Sequence, residues 1–288
     1  MNDLLPKVAA PQYDAISGTD AIFRLGFRVL AWEAFAGPEL SLQADWRAWA
    51  NQKAPDWTLG KTPPAPVSIM APILRRRADS ADRLGLEVAL RLAPAGGVPT
   101  VFASRHGQVT RSASMLTAQA AGEPASPMDF SLSVHNATAG QYSIAAGDRH
   151  ASTSLSSREE SFASGLLEAM GMAAEGHPRV MLVVSDPVLP EIYAGPERGE
   201  PAGYSLAVLL GSEGGAAFTM TCEEAVAGQD DTLPQGLAFL RLLAGDGETI
   251  AWERGGRRWT WTRTAADGGS TASGSETGSG RAAAGGRP

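Results

Sequence analysis

Hydrophobic positions follow two different periods along the chain, and this alternation predicts strands interleaved with helices. Leu84, Val88 and Leu92 recur at every fourth position, which is typical of a helix that buries one face. The segment 179–186 instead has a near-continuous apolar run, which indicates a strand buried on both faces. The middle of the chain therefore predicts helices packed against buried strands.

Strands are predicted at 27–35, 100–104, 151–156, 179–186, 203–212, 216–223, 249–254 and 257–262, with a strand or extended entry at 128–134. Helices are predicted at 45–50, 79–92, 109–121, 135–147, 161–175 and 234–245. The last two strands flank Gly255-Gly256, the signature of a two-residue hairpin. This order of elements predicts an α/β fold class, with a mixed sheet and helices on both faces.

Composition divides the chain into three parts. The segment 267–288 is rich in Gly and Ser and has no apolar side chain larger than Ala. Because such a segment buries too little surface to offset its ordering entropy, a disordered tail is predicted there. Residues 27–266 are long enough for one domain with a sizeable core. Residues 1–26 are expected to form an N-terminal extension.

Charge and cysteine content narrow the function classes. The net charge of −7 at pH 7 argues against nucleic acid as the main partner. The single cysteine, Cys222, excludes internal disulfides and suits a reducing cytoplasm. The four histidines are scattered, so no metal site is predicted. The sequence motifs of nucleotide-binding proteins and of hydrolases are absent, so no cofactor is predicted. The chain also lacks the pattern of a signal peptide and any run of about 18 apolar residues that would span a membrane.

The stretch 131–169 resembles the N-terminal half of a β-ketoacyl synthase of the thiolase fold. In the elongating synthases, a helix with an Asn-x-x-Ala-Gly pattern is followed by a glycine, a strand and the nucleophilic cysteine at the start of a helix. The residues that fit this pattern without a gap are Asn136, Ala139, Gly140, Ile144, Gly147, Ser152 and Ser154. The resemblance spans 27–245 and is strongest over 127–186. More narrowly, SRHG, FSLSVHNA and the Trp-bearing hairpin are similar to chain length factors of aryl polyene and related type II fatty acid or polyketide systems.

This resemblance implies a cytoplasmic, non-catalytic subunit. Chain length factors pair with a catalytic ketosynthase and bound its acyl tunnel, and the acyl carrier protein is an indirect partner. The nucleophile slot here is Glu159, whose carboxylate cannot form an acyl thioester. No histidine follows His177, whereas the second half of a synthase supplies catalytic histidines. Two alternatives stay open: a stand-alone acyltransferase or hydrolase, and a purely structural stabiliser of a ketosynthase.

The resemblance also implies a set of tunnel and interface residues, which are Val109, Ala113, Leu116, Met128, Phe130, His135 and Asn136. The first three lie at helical spacings of four and three and are expected to form the tunnel floor. Met128 and Phe130 match positions that line the cavity in the family. The polar pair at 135–136 is expected to fix a helix start and to contact the other subunit.

Several charged groups admit two interpretations each. Glu159 and the next residue, Glu160, either complete capping boxes with two serines upstream or polarise a former active site. The run Arg75, Arg76 and Arg77 is either a solvated loop or a docking site for an acidic acyl carrier protein. The segment at 105–106 follows a predicted strand and is either structural or lines a pocket. A full synthase covers one flank of its N-terminal half with its second half. We therefore expect this chain, which resembles the N-terminal half alone, to expose an apolar flank.

Overall fold

The computed structural model describes residues 21–53, 64–124, 126–193, 203–225 and 230–264. The predicted tail and most of the predicted N-terminal extension lie outside the described residues. The first strand begins at Ala21, so its first six residues fall in the segment that was expected to precede the domain. No helix in the described ranges is long and apolar enough to cross a membrane.

The described residues form eight strands, which are β1 Ala21–Phe35, β2 Thr100–Ala103, β3 Ser152–Leu155, β4 Arg179–Asp186, β5 Tyr204–Gly211, β6 Ala216–Glu224, β7 Thr249–Arg254 and β8 Arg257–Thr264. They make one mixed sheet in the order β3-β2-β4-β5-β1-β6-β8-β7. β2 runs parallel to β3 and β4, and every other neighbouring pair is antiparallel. Gly255 and Gly256 both have positive φ, as the predicted two-residue hairpin requires.

The helices are α1 Gln43–Ala50, α2 Pro72–Arg75, α3 Ser80–Leu92, α4 Val109–Ala120, α5 Pro127–Ser131, α6 Ala137–Ala146, α7 Ser161–Ala174 and α8 Gln235–Ala244. The chain leaves β2 through α4–α6 to reach β3, and it returns through α7 to β4 on the other side of β2. Because such crossovers are right-handed, this reversal of direction places α6 and α7 on opposite faces of the sheet.

One face of the sheet carries an aromatic core beneath α1, α7 and α8. The rings of Phe162 and Phe239 stack with centroids 4.9 Å apart, and Trp261 meets Phe162 at 5.8 Å. Trp46 and Trp49 of α1 are buried and meet edge to face. Full burial of each large apolar side chain contributes about 1.5–3 kcal/mol. Helices α1, α7 and α8 cover most of this face, and the exposed apolar flank stays a prediction.

The other face is covered mainly by α3 and α6. Leu86 and Val88 of α3 are fully buried against the central strands. Asp79 caps α3, since its side chain accepts a hydrogen bond from the Asp82 N–H at 2.9 Å. Helices thus lie on both faces, which confirms the predicted architecture.

The predicted strand or extended entry at 128–134 is wrong, because the short helix α5 occupies this segment. The helix begins at Pro127, and Ser126 Oγ accepts from the Asp129 N–H at 3.2 Å. Serine at the N-cap followed by proline is a helix-start signal that outweighs the weak alternation after it.

Candidate functional site

The carboxyl ends of the parallel strands β2, β3 and β4 meet at one edge of the sheet, where the chain direction reverses around β2. Such switch points form crevices in which α/β proteins bind ligands. Arg105 follows β2, and its backbone N–H donates to Asp186 Oδ1 at the end of β4, at 2.8 Å. The Arg105 Nε also lies 3.4 Å from Asp186 Oδ2. Arg105 thus makes a structural ion pair and also lines a small cavity.

The turn from β3 into α7 contains strained backbone at Arg158. Its φ of 52° is a left-handed conformation that few non-glycine residues adopt. Ser161 Oγ accepts from the Ser157 N–H at 3.0 Å and donates to the Arg158 carbonyl at 2.6 Å, which holds the turn in place. A strained turn from strand to helix is also the geometry that exposes a nucleophile in the α/β-hydrolases. Here the residues at the turn are Arg158 and Glu159.

The N-terminus of α7 is capped from another helix. Gln235 Oε1, at the start of α8, accepts a hydrogen bond from the Ala163 N–H at 2.9 Å. The capping boxes predicted for Glu159 and Glu160 are wrong, because the helix begins only at Ser161 and Glu160 makes no capping bond with its side chain. No local sequence signal reveals the true cap, since its partners are 72 residues apart.

The two glutamates face the C-terminal hairpin instead. Glu160 Oε1 accepts from Trp259 Nε1 at 3.2 Å, and Glu160 Oε2 lies 3.3 Å from Arg257 Nη1. Glu159 is 40% exposed, and its Oε1 lies 3.9 Å from Arg254 Nη2. Exposed pairs at this separation contribute little to stability. Glu160 therefore ties α7 to the hairpin, and Glu159 remains at the surface of the crevice.

A cavity of about 10 Å³ lies among the β3–α7 turn, β4, β5 and the start of α8. This volume holds about one water molecule. Burial, together with the Asp186 carboxylate, raises the pKa of Tyr204 well above its ordinary value. A Cβ at Gly236 would lie 2.7 Å from the Tyr204 hydroxyl oxygen, so the chain is closely packed here. The crevice is filled by protein groups and has no room for an acyl chain.

Cys222 does not belong to this crevice. It lies on β6 between Phe23 of β1 and Trp259 of β8 and is buried. Burial, reinforced by the Glu160 carboxylate, raises the pKa of the Cys222 thiol, which keeps it from forming the reactive thiolate. Among the described residues, no group of three His, Cys, Asp or Glu side chains is arranged to hold a metal ion.

The predicted tunnel residues belong to α4 and α5 on the other side of the site. Leu116, Met128 and Phe130 are 55%, 54% and 70% exposed. Val109 is half-buried and Ala113 is buried within the chain. The three α4 positions therefore share no exposed face, because Leu116 is the one of the three that is exposed.

The predicted polar pair begins α6. Asn136 occupies the N-cap position, but its side chain makes no capping bond, so the expectation that it fixes the helix start through that side chain is wrong. His135 is half-buried, and burial lowers the pKa of its imidazole. A Cβ at Gly107, whose φ is positive, would lie 2.7 Å from His135 Cδ2, so the imidazole packs against the loop after β2.

The predicted basic run lies beside the same helices. Arg76 and Arg77 are exposed, and Arg75 is half-buried. The Arg77 carbonyl accepts from Arg111 Nη2 at 3.1 Å, and Arg111 Nη1 donates to Asp129 Oδ1 of α5 at 2.7 Å. The structure thus joins the basic run to α5 through Arg111, which sequence reasoning missed because a lone arginine in a helix carries no signal.

Three solved structures share this architecture. The chain is similar to a chain of the ketosynthase ApeO in complex with its chain length factor ApeC from Xenorhabdus doucetiae, with a TM-score of 0.73 and 28% identity over 83% of this chain and 100% of that chain. The ishigamide ketosynthase/chain length factor has a TM-score of 0.55 and 14% identity, over 69% of this chain and 68% of that chain. A β-ketoacyl synthase from Burkholderia phymatum STM815 has a TM-score of 0.50 and 14% identity, over 76% of this chain and 70% of that chain.

No curated protein sequence matches the chain. The similarity to these three structures agrees with the predicted thiolase-like fold. The sequence profile described as "Beta-ketoacyl synthase, N-terminal domain" matches residues 46–262, most of the described sheet included. The chain therefore belongs to the β-ketoacyl synthase family, by its N-terminal domain.

Proposed function

We propose that this chain is a non-catalytic chain length factor, which pairs with a ketosynthase and bounds its acyl tunnel in type II fatty acid or polyketide synthesis. The observation that carries the proposal is the turn into α7. Its residues Arg158 and Glu159 replace the nucleophilic cysteine, and the space above the turn is about 10 Å³. Condensation needs a thiolate and room for an acyl chain, and both are missing from this crevice.

The strained backbone supports this interpretation of the turn. Counting without a gap from Asn136 puts the proposed nucleophile slot at Glu159, whereas the residue with positive φ is Arg158. Strain of this kind clusters at functional sites. Neither a guanidinium nor a carboxylate forms an acyl thioester, so both assignments lead to the same chemistry.

The solved structures support the pairing with a ketosynthase. The chain with a TM-score of 0.73 belongs to a complex of a ketosynthase with its chain length factor. The match extends over 100% of that chain and 83% of this one. The ishigamide structure is likewise a ketosynthase/chain length factor.

Exposed apolar side chains between β2 and β3 support a docking face, which we define by Leu116, Met128, Phe130, Val134 and Ile144. All five are at least half exposed and belong to α4, α5, α6 or the α5–α6 turn. Exposed apolar groups concentrated in one part of a fold mark interaction sites. We assign Leu116, Met128 and Phe130 to the boundary of the partner's acyl tunnel. The exposed Arg76 and Arg77 lie near this face and suit an acidic acyl carrier protein.

The edge of the sheet next to this face is open to a second chain. β3 has no strand on its outer side among the described residues, and its side chains are Ser, Thr, Ser and Leu, without charge or proline. The opposite edge, β7, carries Glu253 and Arg254, and charge protects an edge from pairing. We propose that the ketosynthase pairs at β3.

Intact-mass spectrometry of the heterodimer with acyl carrier substrate tests the proposal. We expect the acyl adduct on the ketosynthase alone, because this chain lacks a nucleophile at the turn. Glu159→Cys and Arg158→Cys should restore no condensation in the purified chain. An acyl adduct on the wild-type chain, or turnover by it without a partner, would instead favour a stand-alone acyltransferase or hydrolase.

A further inference from the structure

Apolar packing does not hold α5 in place. None of its five residues is buried, and Met128 and Phe130 point their apolar side chains outward. Its polar anchor is Asp129, which lies between them and whose Oδ1 accepts from Arg111 Nη1 at 2.7 Å. Among the described residues, this ion pair is therefore the main contact that fixes α5 and its two docking-face residues.

Arg111 is itself fixed from several directions. It is 8% exposed, its Nη2 donates to the Arg77 carbonyl at 3.1 Å, and the same atom lies 3.3 Å from Asp82 Oδ2. Its Nε lies 3.6 Å from Asp79 Oδ2. The guanidinium thus joins the loop before α3, helix α3, and helices α4 and α5.

Asp82 anchors this network from within the core. It is fully buried, and its Oδ1 accepts from Gln108 Nε2 at 2.8 Å and from Thr138 Oγ1 of α6 at 2.7 Å. A buried carboxylate of this kind is stable only when it is paired and hydrogen-bonded. The network therefore ties α3, α4, α5 and α6 into one unit.

We propose that Arg111 is the positioning residue of the docking face, because it sets the orientation of α5 and so presents Met128 and Phe130 to the partner. This inference rests on the proposed function for what the face binds. The role requires arginine. Its planar guanidinium donates in several fixed directions, whereas a lysine ammonium is a single point charge without this rigid fork.

Hydrogen exchange of the free chain tests the positioning without any partner. In Asp129→Asn and Arg111→Lys, amides of 127–134 should exchange about tenfold faster, as expected when a charge-assisted hydrogen bond is lost. Amides of β4 and β5 should keep the wild-type rate. Arg83→Lys is the matched control, because Arg83 donates to the carbonyls of Ala78 and Arg75 and does not reach α5. Unchanged exchange of 127–134 in both variants would overturn the inference.

Affinity for a ketosynthase co-expressed with this chain tests the consequence for docking. We expect Asp129→Asn to weaken the complex about tenfold, comparable to Phe130→Ala. If Phe130→Ala weakens the complex and Asp129→Asn does not, the inference fails and the proposed function stands. If neither variant affects the complex while exchange at 127–134 rises, the proposed docking face fails and Arg111 positions α5 for no partner.

Discussion

Asp148 fixes the turn between α6 and β3 through one buried carboxylate. It accepts from the Val98 N–H at 3.2 Å and the His150 N–H at 2.9 Å, and His150 Nδ1 lies 2.6 Å away. Burial alone would raise the pKa of Asp148, but the hydrogen bonds with His150 and Val98 outweigh it, and the pKa is lowered from 3.8. An acid whose folded pKa is depressed stabilises the fold above its unfolded pKa.

This stability should be lost as the pH falls below 3.8 through the lower folded pKa. We therefore expect Asp148→Asn to lower the free energy of unfolding at pH 7 by about 1–2 kcal/mol, with the difference shrinking toward pH 3. Urea unfolding of both proteins between pH 7 and 3 measures it. Glu213→Gln, at an exposed carboxylate, is the control. If the difference in the free energy of unfolding between wild type and Asp148→Asn stays constant from pH 7 to 3, the charge of Asp148 does not contribute to stability.

Single residues were predictable from the sequence where the signal is local. Gly147 ends α6 with positive φ, as a glycine after a helical run predicts. Gln235, Arg111 and Arg158 were not predictable. The first two act across the fold, and the third is strained by the turn that it occupies.

Helices α4 and α5 are where the length of the product should be set. We expect Leu116→Ala and Phe130→Ala to lengthen products of the reconstituted heterodimer, because each removes an exposed apolar side chain from the proposed tunnel boundary. A further two-carbon unit then gains burial worth about 0.8 kcal/mol per methylene. Mass spectrometry of the released chains gives the distribution.

Leu42→Ala is the matched control, since Leu42 is 66% exposed at the start of α1, away from the docking face. Ala113→Phe is not an informative variant, because Ala113 is buried and the larger ring would disturb the fold. If Leu116→Ala and Phe130→Ala both give products of wild-type length at normal activity, only a structural role remains for α4 and α5.

Elements with strong periodicity were predicted within a few residues, as for α3, α7 and β4. Helix α5, which was predicted as a strand or extended entry, has only five residues and buries none of them. Its position comes from an ion pair, and apolar periodicity carries no information about ion pairs.

Among the described residues the sheet has two free edges, and of these two edge strands β3 is the one without a charged residue. Ser152→Pro should weaken the complex with the ketosynthase about tenfold or more, because proline obstructs strand pairing at an edge. Ser152→Ala should not, since it keeps the backbone N–H. Sedimentation velocity of the two variants with the ketosynthase measures this. Equal affinities of the two variants for the ketosynthase would argue that the partner binds elsewhere. Without a partner, the wild-type chain should self-associate through the β3 edge.

The first strand of the chain lies in the middle of the finished sheet. β1 is flanked by β5 and β6, and Phe35 pairs with Ser205. During synthesis at about 5–20 residues per second, β1 therefore waits roughly 10–40 s for its neighbours. Through that interval the ribosome carries a long, unpaired strand containing Phe23 and Phe27. The order of translation therefore delays closure of the sheet around β1 until β5 and β6 have been made.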